Sequence, residues 1–195
     1  MTAITRILAL VGILAIALTA WIGPDLWRYK TAFDTFDDKA FATYKEMFDN
    51  LIETGNSAAA TVWSVKVAEG LSFEEVDESI QAVAIDNNIK DVGALPLGDQ
   101  VEAMTGEPWR KLKIYLYCNP LTAAKMVEYD IAFAAYLPCR VSLVEDDNGD
   151  LWLTSLNMDM MIHGGKTLPP ELLEEALHVK GIIQDILNRA SEGDF

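Results

Sequence analysis

The sequence predicts an α+β domain carried behind a membrane-spanning helix, and three observations support it. Residues Ile7–Gly23 form an apolar run of 17 residues without a charge. Thr61–Ala68 and Lys111–Cys118 alternate at the strand period of two. Phe73, Val76, Ile80 and Val83 recur at helical spacing, as do Leu173, Ala176, Val179, Ile183 and Ile186.

Arg6 precedes the apolar run and Pro24-Asp25 closes it, with Trp21, Trp27 and Tyr29 where an interfacial aromatic belt lies. Its length meets the lower end of the roughly 17–25 residues that cross a bilayer. A cleaved signal peptide would use the small residues of Ala15-Ile16-Ala17, but the run continues past them through Ile22. A buried core helix would show a polar stripe at helical period, and none interrupts the run. A retained anchor is therefore the leading reading. Arg6 and the amino terminus balance Arg28, Lys30 and Lys39, so the count of positive charges does not set orientation. A short amino-terminal tail ahead of a carboxyl-terminal domain is similar to a signal anchor. That places the domain in the periplasm, on a single-pass helix of the inner (plasma) membrane.

The net charge of −15 and pI near 4.4 argue against nucleic acid and against docking on anionic lipid headgroups. Acidity of this kind serves solubility. The chain divides into an anchor over 1–30, an amphipathic linker helix over 31–57 and a soluble α+β domain over 58–195, enough for one core.

In the linker, Phe33, Phe36, Phe41, Tyr44, Met47, Phe48 and Leu51 step mostly by three and four. Their face is expected to pack on the domain or on a sister helix, and Gly55-Asn56-Ser57 ends it. The first strand puts Trp63, Val65 and Val67 on one face. Ser72 and Glu75 form a capping box ahead of the next helix. Residues 91–110, with Gly93, Pro96, Gly98, Gly106 and Pro108, read as short pieces joined by turns. In Lys111–Cys118, Leu112, Ile114, Leu116 and Cys118 are expected to face the core, and Lys113, Tyr115 and Tyr117 the other side. Asn119-Pro120 then opens a short helix over Leu121–Tyr129. Cys139–Val144 and Leu151–Leu156 pair as a hairpin across an acidic turn with Asn148-Gly149. Pro169-Pro170 opens the terminal helix.

Cys118-Asn119-Pro120, the short helix with Ala123-Ala124, and Leu137-Pro138-Cys139 entering a hairpin together resemble the domain-of-unknown-function 302 family. Gly98, Gly106 and the final amphipathic helix also fit, so the likeness covers roughly Ala60 to Ala190. The resemblance implies an α+β fold similar to that of the TATA-binding protein, an antiparallel sheet covered by two long helices, and a homodimer. It implies no reaction.

Two candidate sites follow. Cys118, Asn119 and Cys139 form a ligand or redox set, because alternation points both thiols at one core. Two buried free thiols are the first reading; a structural disulfide and a reactive or ligand pair are the others. The second set is Met158, Met160, Met161 and His163. Soft thioethers suit Cu(I) or an axial position on haem iron, although methionine is ordinary core filler and packing comes first here too. No CxxCH is present, so covalent c-type haem is excluded. His178 reads as a surface residue. If no helix covers the sheet face carrying Trp109, Tyr115, Tyr117 and Arg140, that face is a groove for a ligand or partner.

No Gly-rich phosphate loop, HExxH or GxSxG is present, so no catalytic motif is visible. The leading expectation is a membrane-anchored accessory or binding protein holding a small ligand, metal or partner protein. The alternatives are a redox protein using Cys118/Cys139 or a metal or haem at 158–163, and a structural subunit of a membrane complex.

Overall fold

A computed structural model describes residues 3–194. Helices α1 (Ala3–Phe33) and α2 (Ala40–Thr54) precede β1 (Val62–Lys66) and α3 (Phe73–Asp86). They are followed by β2 (Lys90–Leu95), α4 (Leu97–Thr105), β3 (Leu112–Cys118) and α5 (Pro120–Tyr129). The hairpin β4 (Cys139–Glu145) and β5 (Leu151–Leu156), the short α6 (Asp159–His163) and α7 (Pro170–Ser191) complete the chain. The strands form one antiparallel sheet in the order β1-β5-β4-β3-β2, and α3 and α7 lie across one face of it.

Helix α1 runs through Pro24 to Phe33 and is the one described helix long and apolar enough to cross a membrane, with none of its apolar window buried against the domain. Proline removes only the bond to the Ala20 carbonyl, so the helix continues beyond the expected stop. Its 31 residues span about 46 Å at 1.5 Å per residue, longer than the roughly 30 Å of bilayer hydrocarbon. The excess carries Asp25, Arg28 and Lys30. The amino terminus at Met1 that entered the orientation argument lies outside the described residues.

The linker helix is shorter than expected, and its aromatic stripe does not pack on the domain. Only Ala40 and Thr43 of α2 are buried, while Phe41, Phe48 and Ile52 are 70%, 58% and 69% exposed. What fixes it is its start. The Asp37 N–H donates to the Gly165 carbonyl at 2.8 Å, the Tyr44 hydroxyl donates to the Gly164 carbonyl at 2.7 Å, and the Tyr44 ring meets Phe33 edge-on.

Local rules set the remaining elements. Ser72 Oγ accepts from the Glu75 N–H at 3.2 Å, and Glu75 Oε2 accepts from the Ser72 N–H at 2.8 Å, which starts α3. Asn148-Gly149 turns the hairpin with Gly149 at φ +84°. Residues 91–110 hold more regular structure than their glycines and prolines suggest, because β2 is a solvent-exposed edge strand and α4 packs by close approach. A Cβ on Gly98 would lie 2.8 Å from the Arg110 carbonyl oxygen, so no larger residue fits there.

One face assignment is reversed. Tyr115 and Tyr117 of β3 lie beneath the helices, opposite Val141 and Cys139, in a core with Leu143, Leu153, Ile80, Val83, Ile183 and Ile186. Leu112, Ile114 and Leu116 are half-buried on the opposite face. The alternation of β3 is correct but its inward phase is not. Polar ends that would normally keep this phase outside are neutralised by α3: Lys113 Nζ lies 2.8 Å from each Asp77 carboxylate oxygen, and the Tyr115 hydroxyl donates to the same group at 2.7 Å.

Candidate functional site

At one end of the sheet the chain leaves β3, makes an excursion and returns as β4. Asn119 caps the start of α5: its Oδ1 accepts from the N–H groups of Leu121 at 3.2 Å and Thr122 at 3.3 Å. Pro120 takes the first helical position, where no N–H is needed. A 3₁₀ turn, Ile131–Tyr136, starts where Asp130 Oδ1 accepts from the Ala132 N–H at 2.8 Å. The chain then passes the cis Leu137–Pro138 bond into Cys139. The two cysteines thus flank one excursion on neighbouring strands, with Cys139 directly opposite Tyr117.

Both cysteines line a small apolar cavity of about 30 Å³ beneath α5, together with Met126, Met158, Met161 and Val179. An adjoining cavity of about 20 Å³ is lined by Cys139, Met158 and Met161 again, with Arg140 at its side. Three sulfur side chains therefore form the wall common to two cavities. Such a space holds one or two water-sized groups, and it is far below the roughly 300–1,000 Å³ of an organic-ligand pocket.

Cys118 and Cys139 are free thiols. Burial, and after it the neighbouring Cys118, pushes the Cys139 thiol up to about 11 against the opposing effect of Arg140. Burial also raises Cys118, with Lys90 acting the other way. Both are protonated at neutral pH, which makes them poor nucleophiles. The Asn119 carbonyl oxygen is committed to its cap.

The second candidate set is split by α6. Met158 precedes the helix and Met161 follows three residues later, so both reach the Cys139 wall. Met160 lines only a surface groove with Tyr129 and Lys166, which Met161 also borders. His163 points to the linker: it is 3% exposed, its Nδ1 lies 3.1 Å from Asp37 Oδ1, and its Nε2 has no partner among the described residues. Among the described residues no group of three or more His, Cys, Asp or Glu could hold a metal ion. His178 is exposed on α7, as expected. Tyr115 and Tyr117 lie under α3 and α7, whereas Arg140 is exposed and pairs across from Leu116 on the other face.

Met126 escaped the sequence reading, although its place on the buried stripe of α5 with Thr122 follows helical spacing. No local signal joins Cys139 to Met158 and Met161, because 18 or more residues of hairpin separate them and only the fold closes that distance.

A five-stranded antiparallel sheet with two long helices on one face and a Cys-Asn-Pro excursion at its end defines a class of α+β domain. The family described as "Domain of unknown function DUF302" matches residues 63–190, well over half of the chain, and the protein belongs to it. Among solved structures the fold is similar to the uncharacterized conserved protein DUF302 from Bacillus stearothermophilus. The two share a TM-score of 0.53 at 16% identity, covering 67% of this chain and 98% of that one. No curated protein matches the sequence.

Proposed function

We propose that this protein is a membrane-tethered binding module whose ligand occupies the cavity between Cys118, Cys139, Met158 and Met161. One observation carries the reading: the anchor is clasped to the wall of that cavity. Phe33 at the end of α1 meets Tyr44, Tyr44 bonds Gly164, and Asp37 faces His163, the last residue of the helix that supplies Met161. A ligand held there stays at a fixed height above the bilayer.

The same proposal places the domain outside the cytoplasm, in the periplasm of a cell whose inner membrane α1 spans, and keeps the division into anchor, linker and domain. The half-exposed aliphatic face of the sheet, with Ile114, Leu116 and Leu156, suits a homodimer contact. A thiol redox role is disfavoured by the raised values of both cysteines.

Membranes from the native host, solubilised in mild detergent, test the reading. The full chain is expected in the membrane fraction with a small species bound at one per chain, identified by native mass spectrometry. Recovery of uncut chain in the supernatant after ultracentrifugation removes the tether. A phosphatase reporter fused after the domain is active only outside the cytoplasm, and its inactivity removes the periplasmic placement.

A further inference from the structure

We propose that the paired cavities are a site for one soft monovalent cation, Cu(I) by its chemistry, held by the Cys139 sulfur with the Met158 and Met161 thioethers. The inference rests on the tethered-binding reading and names its ligand. Methionine alone would be core filler. Here, however, Cys139, Met158 and Met161 line two cavities at once, so the same three sulfur-bearing side chains border unfilled space twice. A fourth sulfur, Met126, and the second thiol, Cys118, border the larger cavity.

The donor set selects the ion. Thioethers and thiolates prefer Cu(I), while zinc or iron sites would use three or four imidazole, carboxylate or thiolate ligands, and no group of three or more His, Cys, Asp or Glu is gathered among the described residues. Charge points the same way. One thiolate with a monovalent cation is neutral, which an apolar cavity tolerates, whereas a divalent ion would leave a net positive charge buried there. On binding, the Cys139 S–H bond breaks, an S–Cu bond forms and the proton passes to solvent. The metal keeps its oxidation state, and no other reactant is required.

The test uses the full-length chain in detergent micelles, titrated anaerobically with Cu(I) against a chromogenic Cu(I) chelator, followed by X-ray absorption at the copper edge. One Cu(I) per chain with sulfur-only coordination is expected. Cys139→Ser is expected to weaken binding by more than the roughly tenfold to hundredfold cost of losing a supporting residue, and Met158→Leu and Met161→Leu each to weaken it measurably. The Met→Leu changes nearly conserve volume, so they decide the matter even if Cys139→Ser fails to fold. No uptake, uptake unchanged in both Met→Leu variants, or loss of uptake on Cys118→Ser alone overturns the site. A chain that refuses Cu(I) yet leaves the membrane with another small species keeps the tethered-binding reading and loses this one. A chain absent from membranes that binds Cu(I) through these residues does the reverse.

Discussion

Helices α1 and α7 are similar in one respect and opposite in another. Both are long, at 31 and 22 residues. On α7 the buried residues Leu172, Ala176, Val179, Ile183 and Ile186 form one stripe, and Glu171, Glu174 and His178 face water. The stripe is the half of the helix that the sheet needs. On α1 the run Ile7–Gly23 carries no charge on any face and none of the apolar window is buried. A helix with charge on one face finds its apolar partner within the protein; one with no charged face over this length is apolar enough to cross a membrane. Position of charge, more than total hydrophobicity, separates the anchor from the core.

The largest predicted effect tests that contrast directly. Ile183→Ala is expected to cost about 3 kcal/mol, because a fully buried residue leaves a cavity between α7 and the sheet. The equivalent Ile13→Ala in α1 is expected to leave the domain's unfolding unchanged. Urea titration of the full chain in micelles, followed by tryptophan fluorescence, measures both. An equal loss from Ile13→Ala would mean that α1 packs on the domain after all, and the contrast would fail.

Next in size is the polar cluster that lets β3 turn its tyrosines inward. Asp77→Ala is expected to cost about 2 kcal/mol, since it strands the Lys113 ammonium and the Tyr115 hydroxyl. Burial acts to raise the Asp77 carboxyl, but Lys113, Tyr115 and Gln81 outweigh it and hold the group below its ordinary 3.8. With a depressed folded value, the stabilisation is complete above that pH and is lost as pH falls through the lower one. Acid titration of the wild type should show this loss below about pH 3.8, and the Asp77→Ala chain should lack that component. An unchanged acid limb would remove Asp77 from the account.

These two regions also show what a single sequence reveals. The capping box at Ser72, the Asn148-Gly149 hairpin, the Asn119-Pro120 helix start and the α7 stripe were all legible, because each depends on residues within a few positions of one another. The phase of β3 was not. Leu112, Ile114 and Leu116 look more like core than Lys113, Tyr115 and Tyr117 do, and only the carboxylate of Asp77, 36 residues away from Lys113, reverses the preference. The aromatics of α2 stay exposed on the domain side for a related reason, since periodicity reports a stripe without reporting what covers it. The candidate site was half legible: its cysteines and methionines stood out as types, but their meeting at one wall is a tertiary fact. His163 was drawn away from Met158 and Met161 by Asp37, a residue outside the matched family region.

That clasp supplies the third effect, at the junction between anchor and domain. Asp37→Asn is expected to cost about 1 kcal/mol in urea unfolding, the range of one charge-assisted bond partly replaced by a neutral one. Burial pulls the Asp37 carboxyl upward, but the Lys39 N–H, the facing His163 and the Thr167 hydroxyl hold it below its ordinary value. Limited proteolysis should sharpen the point: cleavage within residues 34–39 is expected to accelerate in Asp37→Asn while cleavage within the sheet stays slow. Equal acceleration in both places would make Asp37 a core residue instead of a hinge between α1 and the domain.

The smallest effect has the opposite sign. Tyr115 and Tyr117 sit side by side in phase on β3, both nearly inaccessible, yet only Tyr115 has found a partner for its hydroxyl. The Tyr117 hydroxyl is buried with no hydrogen-bond partner among the described residues. An unsatisfied buried hydroxyl costs folding free energy that phenylalanine does not incur, since the ring keeps the same contacts. Tyr117→Phe is therefore expected to stabilise the domain by up to about 1 kcal/mol, and Tyr115→Phe to destabilise it by a similar amount. Thermal melts of the two variants, run beside wild type, distinguish the neighbours. Loss of stability in Tyr117→Phe would show that its hydroxyl is bonded in solution. The core beneath α3 and α7 would then be more polar than the contrast with α1 requires.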